Sequence, residues 1–185
     1  MAMVGGDKVK IFGLAGWSGS GKTTLMEKLV GELTQRGFKV STVKHTHHDV
    51  DVDRPGKDSY RHREAGAVEV LVTSSRRWAL MHELRGDEEP SVEELSSHMT
   101  AVDLLLIEGF KAHRHAKLEV HRPSLGKPML WPEDPQVLAV ASDEPLPGVT
   151  LPTLPLADAT AVADFILAAT GLAQPPRHSA TPAAS

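Results

Sequence analysis

The sequence predicts an α/β domain built on an open, mostly parallel sheet with flanking helices. Three observations point there. An apolar run over residues 9–15 leads directly into Gly16-Trp17-Ser18-Gly19-Ser20-Gly21-Lys22-Thr23, which is followed by helical periodicity. Beyond it, strand-length apolar runs alternate with segments of helical pattern. One of those runs, residues 102–107, is apolar apart from Asp103, as a strand buried on both faces requires.

The glycine-rich stretch fits G-x-x-x-x-G-K-[ST], the P-loop pattern, so the predicted fold is P-loop NTPase-like. Gly16, Gly19 and Gly21 allow backbone torsions that turn successive N–H groups toward an anionic phosphate, with Ser18 and Ser20 between them on the same cradle. The helix opening at Lys22, with Thr23 and Thr24 in its first turn, adds its positive dipole end. Lys22 reaches the β- and γ-phosphates, and the Thr23 hydroxyl is placed to ligate Mg²⁺.

Composition narrows the function classes. A formal charge of −4 argues against a general nucleic-acid binder, which carries a basic excess. With no cysteine, disulfides and thiolate metal sites are excluded. No signal-peptide pattern occupies residues 1–7, and no apolar run reaches membrane-spanning length, so a cytoplasmic protein without membrane contact is expected. The predicted domain covers residues 8–172, and the Pro-, Ala- and Ser-rich residues 173–185 read as a disordered tail.

In chain order, Met26, Leu29, Val30 and Leu33 share one face of the first helix, which Gly37 stops. Residues 38–45 read as a second strand. A polar run through residue 59 follows, with a turn at Pro55-Gly56, then a short helix over 59–64 closing at Gly66. Residues 68–73 and 78–84 are strands, the second with Trp78, Leu80 and Leu84 on one face. Ser91-Val92-Glu93-Glu94 is a capping box opening a helix to about residue 99. After the central strand and Glu108-Gly109, residues 117–121 read as a short edge strand and 136–142 as a buried strand. A proline-rich connection over 145–155 leads to a last helix, capped by Asp158 and stopped by Gly171.

Ligands of such sheets sit at the C-terminal ends of the strands, which gathers three further segments around the phosphates. Glu108 ends the apolar strand and supplies the carboxylate that Mg²⁺ or its water shell needs, whereas Asp103 lies at the strand's far end. The run from Lys44 to Ser59 leaves the second strand. Its Asp49, Asp51 and Asp53 fail the EF-hand pattern, because Arg54 stands where Gly is needed and Tyr60 where a bidentate Glu belongs. Beside a γ-phosphate this run is suited to supply a metal ligand or a base that positions water, with Asp51 the candidate. His45, His47 and His48 are alternatively transition-metal ligands, and a solvated loop is the plain reading. Asp143 follows the buried strand, where a carboxylate can accept both N1–H and the 2-amino group of guanine and so select GTP over ATP; a strand-terminal turn residue is the alternative.

Four stretches resemble the molybdopterin-guanine dinucleotide biosynthesis protein B (MobB) family. They are Gly16 to Thr24; Lys44-His45-Thr46-His47-His48 through Asp53-Arg54-Pro55-Gly56-Lys57-Asp58-Ser59 to Ala65-Gly66-Ala67; Ile107-Glu108-Gly109-Phe110-Lys111; and Ala139-Val140-Ala141-Ser142-Asp143. The second is the specific one, since P-loops are shared by many families. The resemblance implies a GTP-binding, weakly hydrolysing accessory protein, usually a homodimer, that assists the guanylyltransferase MobA in joining GMP to molybdopterin, with molybdopterin itself a possible ligand. By position Gly21, Lys22, Thr23 and Glu108 carry over as phosphate and Mg²⁺ residues; Asp143 carries over less securely, its candidate role being the guanine contact. Two other classes compete. One is a P-loop small-molecule kinase or ligase, with Arg61, Arg63, Arg76 and Arg77 as lid residues. The other is a metallochaperone-type GTPase using His45, His47, His48, His113 and His115.

Overall fold

The computed structural model describes residues 9–46, 51–110 and 113–173. In chain order its elements are β1 (Lys10–Ala15), α1 (Lys22–Gln35), β2 (Val40–Lys44), α2 (Asp58–Glu64), β3 (Glu69–Thr73), β4 (Trp78–His82), α3 (Val92–Ser97), β5 (Leu104–Glu108), β6 (Lys117–His121), β7 (Val137–Ser142), β8 (Thr153–Pro155) and α4 (Ala159–Thr170). They group into two compact units: one of residues up to His45 and from Ala101 onward, the other of Thr46–Thr100. The sequence reading placed residues 8–172 in one domain; residues 174–185 of the expected tail lie outside the described residues.

The first unit is a six-stranded sheet in the order β2-β5-β1-β6-β7-β8, with every pair parallel. One face carries Phe12, Leu14, Leu104, Leu106, Leu118, Val120, Ala139 and Ala141 in a single apolar cluster with α1 and α4. From α1 it takes Leu25, Met26, Leu29 and Leu33, with Val30 packed alongside. That is the predicted stripe widened by one residue. Leu29 and Leu33 are wholly buried, each worth roughly 1.5–3 kcal/mol relative to exposure. Gly37 ends the helix at φ 92°, where an L-residue would be strained. Asp158 caps α4 by accepting the Ala161 N–H at 2.9 Å, and Gly171 closes it in the left-handed region at φ 68°. Asp103 acts at the far end of β5, its carboxylate accepting the Lys39 N–H at 2.7 Å.

Two expectations need correction. β6 is not an edge strand: it lies between β1 and β7, and all five of its residues are buried. Its alternation of Lys117, Glu119 and His121 with Leu118 and Val120 suggests one solvated face. Residues 113–134 cover that face instead and satisfy its polar groups. Lys117 Nζ donates to the His113 carbonyl (2.9 Å) and to Asp134 (3.0 Å), and Glu119 accepts the Leu130 and Trp131 N–H groups at 2.9 and 3.0 Å. Burying charge this way is tolerable only because each group is hydrogen-bonded. The edges are β2 and β8, the latter inside the segment read as a proline-rich connection; a Pro-ended strand is compatible with an edge.

The second unit holds α2, α3 and an antiparallel β3–β4 hairpin that forms its own two-stranded sheet. Leu71 faces Leu80 and Thr73 faces Trp78 across the hairpin, and Leu71, Leu80 and Trp78 are all exposed; Leu84 falls beyond the strand. The capping box at α3 forms as expected, with Ser91 Oγ accepting the Glu94 N–H at 3.2 Å and Glu94 accepting the Ser91 N–H at 2.9 Å. The helix itself stops at Ser97, two residues short of the expected end.

Gly13 of β1 gives the fold its sharpest steric test. A Cβ there would meet His115 Nε2 at 2.2 Å and Lys117 Cβ at 3.2 Å, on the face away from α1. Gly13→Ala is expected to cost about 1–3 kcal/mol and lower the melting temperature by several degrees. A melt superimposable on the native one would contradict the packing of His115 over β1.

Candidate nucleotide-binding site

The loop joining β1 to α1 takes the shape its glycines permit. Gly16, Gly19 and Gly21 sit at φ 143°, 81° and 99°, and Gly16 has a second constraint: a Cβ there would fall 2.4 Å from the Val120 carbonyl oxygen. Gly21 is the N-cap of α1, and no side chain caps the helix. The positive end of the helix dipole therefore opens onto the loop without an internal acceptor from a capping side chain. Ser20 is buried, and its hydroxyl oxygen has no hydrogen-bond partner. Lys22 Nζ lies back across the loop, donating to the Gly16 and Trp17 carbonyls at 2.9 and 2.8 Å. Ser18 and Gly19 are exposed at the tip. An uncapped helix end, an orphaned buried hydroxyl and an ammonium held on the loop's rim together fit a polyphosphate.

Glu108 arrives from the neighbouring strand. The register that sets Phe12 beside Leu106 sets Leu14 beside Glu108, so the carboxylate projects from the face that α1 covers. There Thr23 Oγ1 donates to Glu108 Oε1 at 2.8 Å, and Lys44 Nζ at the end of β2 lies 3.7 Å from the same oxygen. Thr23 and Glu108, the residues expected to hold Mg²⁺, are thus already together. One hydroxyl and one carboxylate are a donor set that suits a hard cation keeping most of its waters.

Toward the other edge of the sheet the loop meets the ends of β6, β7 and β8. Arg122 Nε donates to the Ser20 carbonyl at 3.1 Å, and its guanidinium lies 3.4 Å from Asp143 Oδ2. Gly21, Thr24, Leu25 and Lys28 form one wall of a cavity of about 160 Å³, and Arg122, Asp143, Leu156 and Ala157 form the other. The structure therefore brings Thr24 and Asp143 to one cavity beside the phosphate loop, as the guanine reading of Asp143 requires. The segment after β6 also touches the loop from outside, where Trp17 Nε1 donates to the Pro128 carbonyl at 2.7 Å.

Arg122 and Lys44 are the site residues that the sequence reading did not assign. For Arg122 the signal was available: it directly follows a strand end, the position from which such sheets present ligand-binding groups. Reading β6 as an edge strand hid it.

Asp51 belongs to the second unit, where Arg63 binds it through both oxygens, Nη1 to Oδ1 at 2.8 Å and Nη2 to Oδ2 at 3.0 Å. The same guanidinium forms ion pairs with Asp53 (4.0 Å) and Glu83 (3.0 Å). The Asp53 N–H also donates to Asp51 Oδ1 at 2.9 Å, and Ser59 Oγ to Asp53 Oδ1 at 2.9 Å. The acidic run after residue 50 is therefore an ordered turn organised by one arginine. His47, His48 and Asp49 lie outside the described residues. Among the described residues no group of three or more His, Asp or Glu side chains is arranged to hold a metal ion.

The Arg63 hydrogen bonds, with the Asp53 N–H second, hold the Asp51 carboxyl below its ordinary range, and the Asp51 contact raises Arg63. A carboxyl depressed in the folded state stabilises it above the unfolded pKa and loses that contribution as pH falls through the folded value. An NMR titration of Asp51 is expected to give a midpoint below the usual aspartate range and to return to that range in Arg63→Ala. A native midpoint at the ordinary value would contradict the pairing.

Comparison with known proteins places the chain in a family. Residues 11–143 match the family model described as MobB, molybdopterin guanine dinucleotide synthesis protein B. The chain is 44% identical over 168 residues to the molybdopterin-guanine dinucleotide biosynthesis adapter protein of Escherichia coli (strain K12), covering 89% of this chain and 95% of that protein. It is 42% identical over 163 residues to the Haemophilus influenzae adapter protein, covering 86% and 89%. The crystal structure of a MobB protein homolog from Bacillus stearothermophilus superposes with a TM-score of 0.65 at 25% identity, over 88% of this chain and 99% of that one. A second structure, titled molybdopterin-guanine biosynthesis protein B, gives a TM-score of 0.67 at 25% identity, over 86% and 99%. No helix among the described residues is long and apolar enough to cross a membrane. With a P-loop sheet, a Thr23–Glu108 pair and relatives this similar over nearly their whole length, the chain belongs to the MobB family of molybdopterin guanine dinucleotide synthesis proteins.

Proposed function

We propose that this chain is a GTP-binding adapter with weak GTPase activity that works in the cytoplasm with the guanylyltransferase MobA as GMP is joined to molybdopterin. The observation that carries the reading is the Thr23–Glu108 hydrogen bond of 2.8 Å at the open end of α1, in a chain whose relatives are named as adapters of this synthesis. Gly16, Ser18, Gly19, Ser20 and Gly21 line the phosphates with backbone N–H groups, and Ser20 adds its buried hydroxyl. Lys22 swings from its two carbonyls to the β- and γ-phosphate oxygens, a short displacement because the ammonium already lies on the loop. Thr23 and Glu108 would hold Mg²⁺, the Thr23 hydroxyl as a ligand and the Glu108 carboxylate as a ligand or as acceptor for the cation's waters. Bound there, the cation neutralises charge on the phosphates.

Thr24 and Asp143 belong to the nucleoside side of the site, with Asp143 reading the guanine edge. Asp51 has a different part. A carboxylate held below its ordinary range is a poor proton acceptor, so we assign it to positioning water or the partner rather than to abstracting a proton.

We further propose that the chain pairs with a second copy through the exposed Leu71, Leu80 and Trp78 face of the β3–β4 hairpin, an apolar stripe uncommon on a solvated strand. Light scattering should give twice the chain mass, and Leu80→Glu should halve it; a native monomer would refute the pairing.

Calorimetric titration tests the site. Lys22→Ala is expected to lose at least about tenfold in GTP affinity, since a charged hydrogen bond contributes roughly 1.5–3 kcal/mol. Glu108→Gln should abolish most of the Mg²⁺ enhancement while sparing metal-free binding. Asp143→Asn should move preference from GTP toward xanthosine triphosphate, whose 2-carbonyl can accept from an amide. Native-like affinity in Lys22→Ala would refute the phosphate site, intact Mg²⁺ dependence would free Glu108 of its role, and an unaltered order of nucleotides would remove Asp143.

A further inference from the structure

Arg122 stands where the phosphate loop, α1 and the strand ends meet, and neither the P-loop pattern nor the guanine reading of Asp143 uses it. It follows β6 directly, and its guanidinium makes two directed contacts: Nε to the Ser20 carbonyl at 3.1 Å, and Nη1 toward Asp143 at 3.4 Å. The group also lies against the backbone of Gly21. A Cβ at Gly21 would be 3.4 Å from Arg122 Nη2 and 3.6 Å from Nε, ordinary contact distances that place the guanidinium directly over this turn of the helix end. A cation beside the positive end of a helix is electrostatically unfavourable on its own. The Ser20 carbonyl and the Asp143 carboxylate offset it among these contacts.

The remaining lining decides what the placement is for. Leu25, Leu156 and Ala157 give the cavity apolar surface, Thr24 and Lys28 line it on the α1 side, and the Asp143 carboxylate disfavours a further phosphate beside it. A flat, neutral ring with N–H donors on one edge satisfies both conditions. Guanidinium planes stack on nucleobases and aromatic rings and accept a π face at little desolvation cost. We propose that Arg122 is a base-positioning residue: tied to the P-loop through Ser20 and to Asp143 at its other edge, it presents the surface on which the purine stacks and fixes the distance between the phosphate cradle and the guanine-reading carboxylate. The proposal rests on the GTP-binding reading and adds to it the residue that links phosphate recognition to base recognition.

The consequence separates Arg122 from Lys22. A phosphate ligand matters more as phosphates are added and matters for inorganic tripolyphosphate; a base ligand matters equally for GTP and GDP and not at all for tripolyphosphate. Titration of the full chain with GTP, GDP and tripolyphosphate reads this directly. Arg122→Ala is expected to weaken GTP and GDP by the same factor, roughly tenfold, and to leave tripolyphosphate unchanged. Lys22→Ala should weaken GTP and tripolyphosphate together. Arg122→Lys keeps the charge without the plane and should show a smaller loss of the same pattern; it stands in if Arg122→Ala does not fold. A parallel loss of tripolyphosphate in either Arg122 variant would overturn the proposal, because Arg122 would then serve the loop or its phosphates. Native GTP affinity in Arg122→Ala would overturn it as well, while a Lys22-dependent native affinity left the nucleotide site standing. A native chain that bound neither GTP nor tripolyphosphate would refute the underlying reading and this proposal with it.

Discussion

A parallel strand delivers its side chains alternately to two faces, and the pairing of β1 with β5 decides which of them meet the P-loop. Because Leu14 lies beside Glu108, the last residue of β5 points to the face covered by α1 and not away from it. Shifting that register by one residue would turn the carboxylate to the opposite face and remove it from Thr23. Everything else at the site presupposes this alignment: the 2.8 Å Thr23–Glu108 bond, the approach of Lys44 from β2, and the opening of an uncapped helix end toward the same point. The apolar cluster beneath, from Phe12 and Leu106 to Leu29 and Ile166, holds the register by burying one whole face of the sheet against two helices.

The opposite face is fixed by different physics. Gly13 lacks the side chain that would collide with His115, and Lys117 and Glu119 are buried with their partners supplied by the chain between β6 and β7. That segment does more than satisfy charges. Through Arg122 on the Ser20 carbonyl and the Pro128 carbonyl on Trp17 it lies against the loop between β1 and α1 at two points. The second unit is organised on a smaller scale, around Arg63 and its three carboxylates.

How much of this was legible in the sequence differs by residue, for physical reasons. Gly16 to Thr24, Gly37, Asp158 and Gly171 announce themselves because their backbone geometry or capping chemistry is local. Glu108 was legible because a continuous apolar run ends at it, and central parallel strands present their ends to the ligand. β6 was misread because Lys117, Glu119 and His121 alternate as exposed residues do. Burial of Lys117 and Glu119 depends on Asp134, Leu130 and Trp131, eleven or more residues away, and no local pattern reveals such partners. Arg122 was missed as a consequence of that error. The separation of β3 and β4 into their own sheet was likewise hidden, since alternating apolar residues look the same whether they join a large sheet or form a hairpin with an exposed apolar face.

On the proposed function, one loop, one lysine and one strand-end carboxylate form a single GTP·Mg²⁺ site. A crystal structure of the chain with a non-hydrolysable GTP analogue and Mg²⁺ tests this. The triphosphate is expected within residues 16–24, with Lys22 Nζ within hydrogen-bond distance of phosphate oxygens and Thr23 Oγ1 turned from Glu108 to the metal. A triphosphate bound away from the loop, or a Thr23–Glu108 hydrogen bond left intact beside a metal held elsewhere, would contradict it.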